Sequence, residues 1–375
     1  MKKLLALFLS FTVLIGSFIF KAEAVEYPPP SLSAQSAVLI DLDSRAVLFE
    51  KNMSERLGMA STTKIMTALI AAEHSALEDL VQIPDEAVGV EGSSIYLTHG
   101  EVLTMEELLL ALLLQSANDA ATAIAIAIAG SVDAFADMMN ERARKMGLQN
   151  THFTNPHGLY DDEHYTTAYD LAVISAHALE NETIAEMFST YKATLPITGD
   201  SQKRVLVNHN KLLKLYKGAV GVKTGFTKKT GRCLVSAAQR DGLTLIAVTL
   251  NAPDDWRDHM SMLDFGFEHF ESTIIAEAGT FNYSLPVTGG VQERVTLTNA
   301  EALRMTLPKE RGALKYKVEA LHRFEFAPIS KGEALGRVYC SYDDRFFAES
   351  VLVCSKDIDK SKERSWISKL IGIFS

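Results

Sequence analysis

The sequence predicts a mixed α/β (α+β) protein in which helices pack on an antiparallel sheet, followed by a small all-β domain. β-like runs come first, a long tract rich in Leu, Ala and Met follows, and short β-like runs return from Gly218 onward. Strands, a block of helices and strands again are typical of helices packed on a sheet. The chain has 375 residues, which is more than one core usually organises, so we expect two domains.

Composition excludes several protein classes. Apolar residues make up 47% of the chain, with ten prolines and three cysteines, which argues against a disordered protein, a collagen-like repeat or a disulfide scaffold. The net charge is -10 and the pI is near 5.5. Nucleic-acid binding needs a basic surface, so we predict no nucleic-acid partner.

Residues 1–24 have the pattern of a signal peptide. A charged start is followed by the apolar run Leu4 to Phe20 and an A-x-A site ending at Ala24. An uncleaved anchor is the alternative, because the run is slightly longer than most signal cores. We predict cleavage after Ala24 and an extracytoplasmic mature protein.

The first domain, residues 25–275, begins with a predicted hairpin. Ser36–Asp41 and Arg45–Glu50 flank a polar turn. The helical tract and the returning strands then supply the other elements. The predicted helices are Thr63 to Glu73, Thr104 to Gln115 and Asp119 to Ala129, the last capped by Asn118-Asp119, and the predicted strands are 219–222, 233–237 and 243–250.

Two further segments follow. Residues 276–356 contain short β-like pieces without a helical period and are predicted to form the all-β domain. Residues 357–375 are predicted to form an amphipathic helix lying on the membrane surface, with a helix docked on the β domain as the alternative. Its apolar residues fall within about 160° of arc on a helical wheel: Trp366, Ile367, Leu370, Ile371, Ile373 and Phe374.

Neither a disulfide framework nor a metal site is encoded. Cys233, Cys340 and Cys354 are an odd count at unrelated spacings, and we expect small buried residues rather than a Cys340–Cys354 bridge. The cluster from His157 to His164 raises the alternative of a zinc carboxypeptidase, but its spacing is not H-E-x-x-H. We predict no metal and no cofactor.

The candidate nucleophile is Ser61, in an S-x-x-K motif at the start of the first strong helix. Positions i and i+3 share a helix face, so Lys64 can reach the Ser61 hydroxyl and accept its proton if burial lowers the lysine pKa. A second S-x-x-K, Ser189 to Lys192, has no helix start after it and is set aside.

Two further motifs follow in order. Ser116-Ala117-Asn118 lies between two buried helices, where its polar groups either cap the next helix or face a cleft. Lys223-Thr224-Gly225 ends a predicted strand, and its glycine permits close approach of a ligand backbone. A second K-T-G at Lys229 is assigned to the turn between two strands.

S-x-x-K, S-x-N and K-T-G in this order are shared by β-lactamases and penicillin-binding proteins. From about residue 36 to 271 the chain resembles the serine D-alanyl-D-alanine carboxypeptidases, the low-molecular-mass penicillin-binding proteins of the type 5 group. Segments carrying the resemblance include Ala60 to Thr67, Gly92 to Leu97, Ser116 to Ala121, Asn155 to Leu159, Tyr165 to Ala172 and Gly221 to Gly225.

The resemblance implies a β-lactamase/transpeptidase-like catalytic domain of helices on a five-stranded sheet. It also implies an enzyme that removes the terminal D-alanine from peptidoglycan stem peptides and binds β-lactams covalently. The site residues that it implies are catalytic Ser61, Lys64, Ser116 and Lys223, with Asn118, Thr224, Gly225 and Phe226 binding substrate. The oxyanion donors would be the backbone N–H groups of Ser61 and Phe226.

Three points stay open. No E-x-x-L-N segment follows Ser116, which disfavours a β-lactamase, and a non-catalytic peptide binder is the remaining alternative. Arg257 is a weak candidate for the arginine that family members place near the substrate carboxylate. A surface ion pair of Arg257 with Asp254 or Asp258 is the preferred interpretation.

Overall fold

The computed structural model describes residues 27–197 and 200–361. The predicted signal peptide and most of the predicted terminal helix therefore lie outside the described residues. The helices within the described residues are α1 (Lys64–His74), α2 (Met105–Leu114), α3 (Asn118–Ala129), α4 (Val132–Lys145), α5 (Ala168–Glu180), α6 (Glu182–Ser189), α7 (Leu212–Leu215) and α8 (Asp255–His269).

The strands that precede α8 lie between residues 36 and 250. They are β1 (Ser36–Asp41), β2 (Val47–Lys51), β3 (Leu80–Gln82), β4 (Val102–Thr104), β5 (Lys192–Ile197), β6 (Asp200–Val207), β7 (Ala219–Thr227), β8 (Gly231–Arg240) and β9 (Leu243–Leu250). The remaining strands are β10 (Phe270–Ala276), β11 (Tyr283–Thr288), β12 (Arg294–Asn299), β13 (Leu303–Pro308), β14 (Lys315–Ala320), β15 (Glu325–Phe326), β16 (Ala334–Tyr342) and β17 (Phe346–Cys354).

The central sheet has five antiparallel strands in the order β2-β1-β9-β8-β7. The fold-class prediction of helices on a five-stranded antiparallel sheet is confirmed. Strand β7, which carries the K-T-G motif, lies at one edge, so one side of its backbone faces the helical part of the domain rather than another strand.

Both faces of this sheet are covered, because side chains along a strand alternate between them. Val38 and Ile40 on β1 belong to the core shared with the helices, whereas Leu39 belongs to the core on the α8 side. Helix α8 lies very close to the sheet at Gly266, where an added Cβ would come within 2.4 Å of Leu245. The helical core holds the elements that carry the site.

The C-terminal part is all β, as predicted. Six strands form a sheet in the order β14-β16-β17-β12-β11-β15, and β10 pairs with β13. The predicted terminal helix begins too early, however, because residues 357–361 belong to this β region. Ile358 pairs with Ile329 and is fully buried, and Lys360 pairs with Gly290.

All three cysteines are buried and free. In the β16–β17 hairpin Cys340 lies opposite Ala348, so Cys354 is several positions away from it along the partner strand. The expectation of small buried residues is confirmed.

Among the described residues, no single helix has the length and apolar content to cross a membrane. Helices α3 and α4 meet that criterion only as a pair, and they bend by 82° at the break between them.

Candidate active site

Ser61 lies in a tight turn immediately before α1. Residues Ala60–Thr63 form a short 3-10 helix, and Ala60 adopts the left-handed conformation with φ of 47°. The turn is held by its own side chains, since Thr62 Oγ1 donates to Met59 O at 2.6 Å and Thr63 Oγ1 donates to Ala60 O at 2.8 Å. The serine is therefore presented at the start of a helix, as the motif predicted.

Lys64 is fully buried, and its Nζ has three oxygen neighbours. Ser61 Oγ is 3.0 Å away, Asn118 Oδ1 2.7 Å and His157 O 2.6 Å. A neutral amine has two hydrogens and one lone pair. The Asn118 and His157 oxygens can only accept, so they take both hydrogens of a neutral Lys64, and its lone pair is left for the Ser61 hydroxyl.

The electrostatics favour this neutral form. Burial, together with the nearby Lys223 cation, lowers the pKa of Lys64 well below its ordinary value, and only Asp119 opposes the shift. A lysine in this state accepts a proton from a hydrogen-bonded hydroxyl, which is what activates a serine.

The Asn118 side chain contacts Lys64 in the site and does not cap helix α3. Helix α3 begins at Asn118 with Ala117 as its N-cap, and no side chain caps it, so the predicted Asn118-Asp119 cap is wrong. The Asn118 amide instead bridges Lys64 and the Glu91 carbonyl, to which Nδ2 donates at 2.6 Å. Ser116 adopts a left-handed conformation with φ of 59°, and within the described chain its hydroxyl bonds neither lysine.

Asp119 is a structural residue of the site that the sequence reasoning missed. Its buried carboxylate accepts from Ser94 Oγ at 2.6 Å, from Ile95 N and from Leu97 N at 3.1 Å. These bonds attach the segment containing Ser93 to the start of α3. An acidic residue in the first turn of a buried helix was the available signal.

The K-T-G motif lies against the serine turn. An added Cβ on Gly225 would come within 3.0 Å of Ser61 N, which is a tight contact, so β7 lies directly against the serine turn. Lys223 is 1% exposed and donates to Thr224 O at 3.0 Å, and burial lowers the pKa of Lys223 to about 7. The second K-T-G lies in the β7–β8 turn, where Thr230 bonds Thr227.

The three motifs open onto one cavity of about 630 Å³. It combines serine hydroxyls, cationic side chains and aromatic walls. The lining residues are Ser61, Ser93, Ser116, Tyr191, Asn208, His209, Lys211, Thr224, Gly225, Phe226, Arg232, Asp255 and Trp256. Eight of them were not anticipated from the sequence as site residues and come from segments far apart in the chain: Ser93, Tyr191, Asn208, His209, Lys211, Arg232, Asp255 and Trp256.

Arg232, not Arg257, is the arginine of this cavity. Arg232 lies opposite Phe226 in the β7–β8 ladder, and its Nε is 3.0 Å from Asp255 Oδ1. Arg257 is exposed and does not line the cavity. The expected ion pair of Arg257 is also not formed within the described residues, because Asp258 accepts from Ser33 and the Ala34 backbone instead.

Within residues 27–197 and 200–361, no group of three or more His, Cys, Asp or Glu side chains is arranged to hold an ion. The His157 carbonyl accepts from Lys64 Nζ, and His164 Nε2 lies 2.7 Å from Thr63 Oγ1.

Comparison with known proteins agrees with this geometry. The sequence profile of the D-alanyl-D-alanine carboxypeptidase family matches residues 22–254, and that of the penicillin-binding protein 5 C-terminal domain matches residues 270–360. The chain belongs to the D-alanyl-D-alanine carboxypeptidase family. The carboxypeptidase is 35% identical to D-alanyl-D-alanine carboxypeptidase DacF of Bacillus subtilis, over 90% of this chain and 89% of the relative.

Other relatives of the carboxypeptidase span both of its parts. It is 31% identical to D-alanyl-D-alanine carboxypeptidase DacA of Escherichia coli, over 91% of this chain and 87% of the relative. Crystal structures of penicillin binding protein 5 from Haemophilus influenzae match with a TM-score of 0.76 and 29% identity, covering 89% of this chain and 100% of the other. The match includes the C-terminal β region.

Family membership makes this protein a serine-type peptidase and a D-alanyl-D-alanine carboxypeptidase. It implies a D-Ala-D-Ala peptidoglycan substrate, covalent binding of β-lactams and a place of action outside the cytoplasm. The predictions of family, of activity and of a mixed α/β fold with an all-β C-terminal part are confirmed, whereas most of the predicted terminal helix lies outside the described residues.

Proposed function

We propose that the carboxypeptidase acts through a Ser61 acyl-enzyme, with Lys64 as the base. The observation that carries the proposal is the arrangement at Lys64 Nζ, where two carbonyl acceptors leave the third contact, at 3.0 Å, for the Ser61 hydroxyl. Ser61 Oγ forms a bond to the carbonyl carbon of the penultimate D-alanine, and its proton passes to Lys64.

Collapse of the tetrahedral intermediate breaks the C–N bond. The leaving D-alanine takes a proton delivered from Lys64 through Ser116, which lines the cavity, and through buried Lys223, which precedes Thr224 on β7. Water then adds to the ester carbon, and the stem peptide leaves with a new carboxylate while Ser61 recovers its hydrogen. A β-lactam acylates Ser61 in the same way, and its adduct is hydrolysed slowly.

The developing oxyanion is bound by backbone N–H groups of Ser61 and Phe226. Two donors at this position stabilise charge that appears only in the transition state. Support comes from Gly225, whose missing side chain brings the β7 backbone against the Ser61 amide.

The terminal carboxylate of the substrate binds near Thr224, Lys223 and Arg232. Arg232 supports this role because Asp255 engages Nε, which leaves the two terminal nitrogens of the guanidinium for a bidentate contact. Asn118 is placed to hold the side-chain amide of the substrate, and the open side of β7 to hold the backbone of the stem peptide.

We also propose that residues 1–24 are removed as a signal peptide and that the chain after Ser361 attaches the protein to the outer face of the membrane. The apolar residues from Trp366 to Phe374 support attachment. The catalytic domain is proposed to span about residues 25–275, as predicted, and the β domain to begin near 276 and to extend past the predicted end at 356, because Ile358 and Lys360 pair with it.

The decisive experiment combines mass spectrometry of the penicillin adduct with D-alanine release from a pentapeptide. We expect acylation at Ser61 and release of one D-alanine per peptide. Acylation at Ser61 without any D-alanine release would favour a non-catalytic binder, and acylation at another serine would refute the assignment.

A further inference from the structure

The turn that presents Ser61 depends on the carbonyl of Ala60. Ala60 carries a Cβ yet adopts a left-handed conformation, which side chains disfavour, so other groups must hold it there. Thr63 Oγ1 donates to Ala60 O at 2.8 Å. A hydroxyl has one hydrogen, so a second neighbour of Thr63 Oγ1 decides whether that hydrogen is free for Ala60.

That neighbour is His164, a buried residue outside the three motifs. His164 Nε2 is 2.7 Å from Thr63 Oγ1, and Nδ1 is 3.0 Å from the backbone N of Thr154. The Thr154 N–H can only donate, so Nδ1 accepts and Nε2 carries the ring proton. Burial lowers the pKa of His164 to about 4, which agrees with a neutral ring.

The protonation of the His164 ring sets the direction of each hydrogen bond between Thr154 and Ala60. Thr154 N–H donates to Nδ1, Nε2–H donates to Thr63 Oγ1, and the Thr63 hydroxyl donates to Ala60 O. A reversed ring would present Thr63 with an acceptor, and the hydroxyl hydrogen would turn away from Ala60.

We propose that His164 is a positioning residue for the nucleophile, acting through Thr63 on the turn that aims the Ser61 hydroxyl at Lys64. The proposal rests on the role of Ser61 proposed above. His164 does not line the cavity of the three motifs; it lines a separate cavity of about 360 Å³, together with Gly58. It therefore acts without touching substrate.

The test compares four variants of the full mature chain by their acylation rate with fluorescent penicillin. His164→Leu removes both ring bonds, and Thr63→Val replaces the hydroxyl by a methyl group of similar shape. Each is expected to slow acylation about 10- to 100-fold while remaining folded, because small displacements of a reacting group have effects of this size. His164→Gln and Thr63→Ser keep a donor and a hydroxyl, and are expected to recover most of the rate.

The double variant distinguishes two explanations: a relay, in which His164 acts through the Thr63 hydroxyl, and independent packing effects of the two residues. Residues that act as one unit give non-additive losses, so His164→Leu combined with Thr63→Val should be no slower than the slower single variant. His99→Leu, at an exposed histidine paired with Asp85, is the control and should acylate normally.

Wild-type rates in His164→Leu, or losses that multiply in the double variant, would overturn the proposal. If His164→Leu does not fold, the comparison of Thr63→Val with Thr63→Ser decides, and equal rates in that pair would refute the relay. Failure of the Ser61 assignment would be seen separately, as an adduct on another residue of the wild-type protein.

Discussion

Gly158 offers a sharp test of how tightly the serine turn is held. It adopts φ of +86°, and an added Cβ would come within 1.9 Å of Ala60 O and 2.8 Å of Thr63 Oγ1. Contacts of a real Cβ stay above about 3.0 Å, so the change Gly158→Ala must displace the Ala60 carbonyl or its own loop by about 1 Å.

Two costs are expected. The left-handed conformation costs about 1 kcal/mol for alanine, and overpacking adds about 1–3 kcal/mol, so the free energy of unfolding should fall by about 2–4 kcal/mol. A shift of about 1 Å next to a nucleophile slows its reaction about 100-fold, which corresponds to about 2.7 kcal/mol in the barrier to acylation.

Gly147→Ala is the matched control. Gly147 also has a positive φ, +78°, but nothing lies within 4 Å of its added Cβ. It should lose only the conformational cost of about 1 kcal/mol and acylate as the wild type does. Stopped-flow acylation with fluorescent penicillin and urea unfolding measure the two effects. Equal acylation rates in Gly158→Ala and Gly147→Ala would show that this reasoning is wrong.

Four further results are expected. Ser61→Ala should abolish penicillin labelling and D-alanine release without changing the melting temperature, and labelling at another serine would contradict this. Arg232→Gln should raise KM about tenfold with little change in kcat, whereas exposed Arg257→Gln should change neither; equal effects would remove Arg232 from the carboxylate site. Burial lowers the pKa of His157 and His259 to about 3 and that of His164 to about 4. Between these values and pH 6.5, each of these histidines binds a proton in the unfolded protein but not in the folded one. The free energy of unfolding should then fall below pH 6.5 and level off near pH 3–4, with each histidine contributing about 1.4 kcal/mol per pH unit, and urea unfolding at pH 7 and 5 checks this. Truncation after Lys360 should move the protein from membrane to soluble fractions, and unchanged sedimentation would refute attachment by the terminal segment.

The local part of the site was predictable from the sequence. Ser61 and Lys64 are one helical turn apart, and that spacing alone brings the two side chains together once the helix forms. The two copies of K-T-G lie where the sequence placed them, one on β7 beside Ser61 and the other at the β7–β8 turn, because one ends an apolar run and the other lies among polar residues between strands. Such signals need no knowledge of distant contacts.

The remainder depends on packing between distant segments. The β7–β8 register and the start of α8 decide whether Arg232 or Arg257 reaches the cavity. Neither the register nor the helix start can be predicted from a short sequence motif. Asn118 resembled a helix cap, yet the buried Lys64 amine attracts its amide into the site. Ile358 continues the β region because it pairs with Ile329. The hydrophobic pattern of the residues around Ile358 cannot predict a pairing with a segment so far away in the sequence.

The two buried amines, Lys64 and Lys223, give the site an unusual acid–base property. Burial and the Lys223 cation both disfavour charge on Lys64, and Lys223, whose pKa burial lowers to about 7, is only half protonated near neutrality. An anionic ligand that enters supplies the missing counter-charge, so its arrival draws a proton from the buffer. Calorimetric heats of binding should therefore change with the ionisation enthalpy of the buffer chosen, even though the reaction itself consumes no acid.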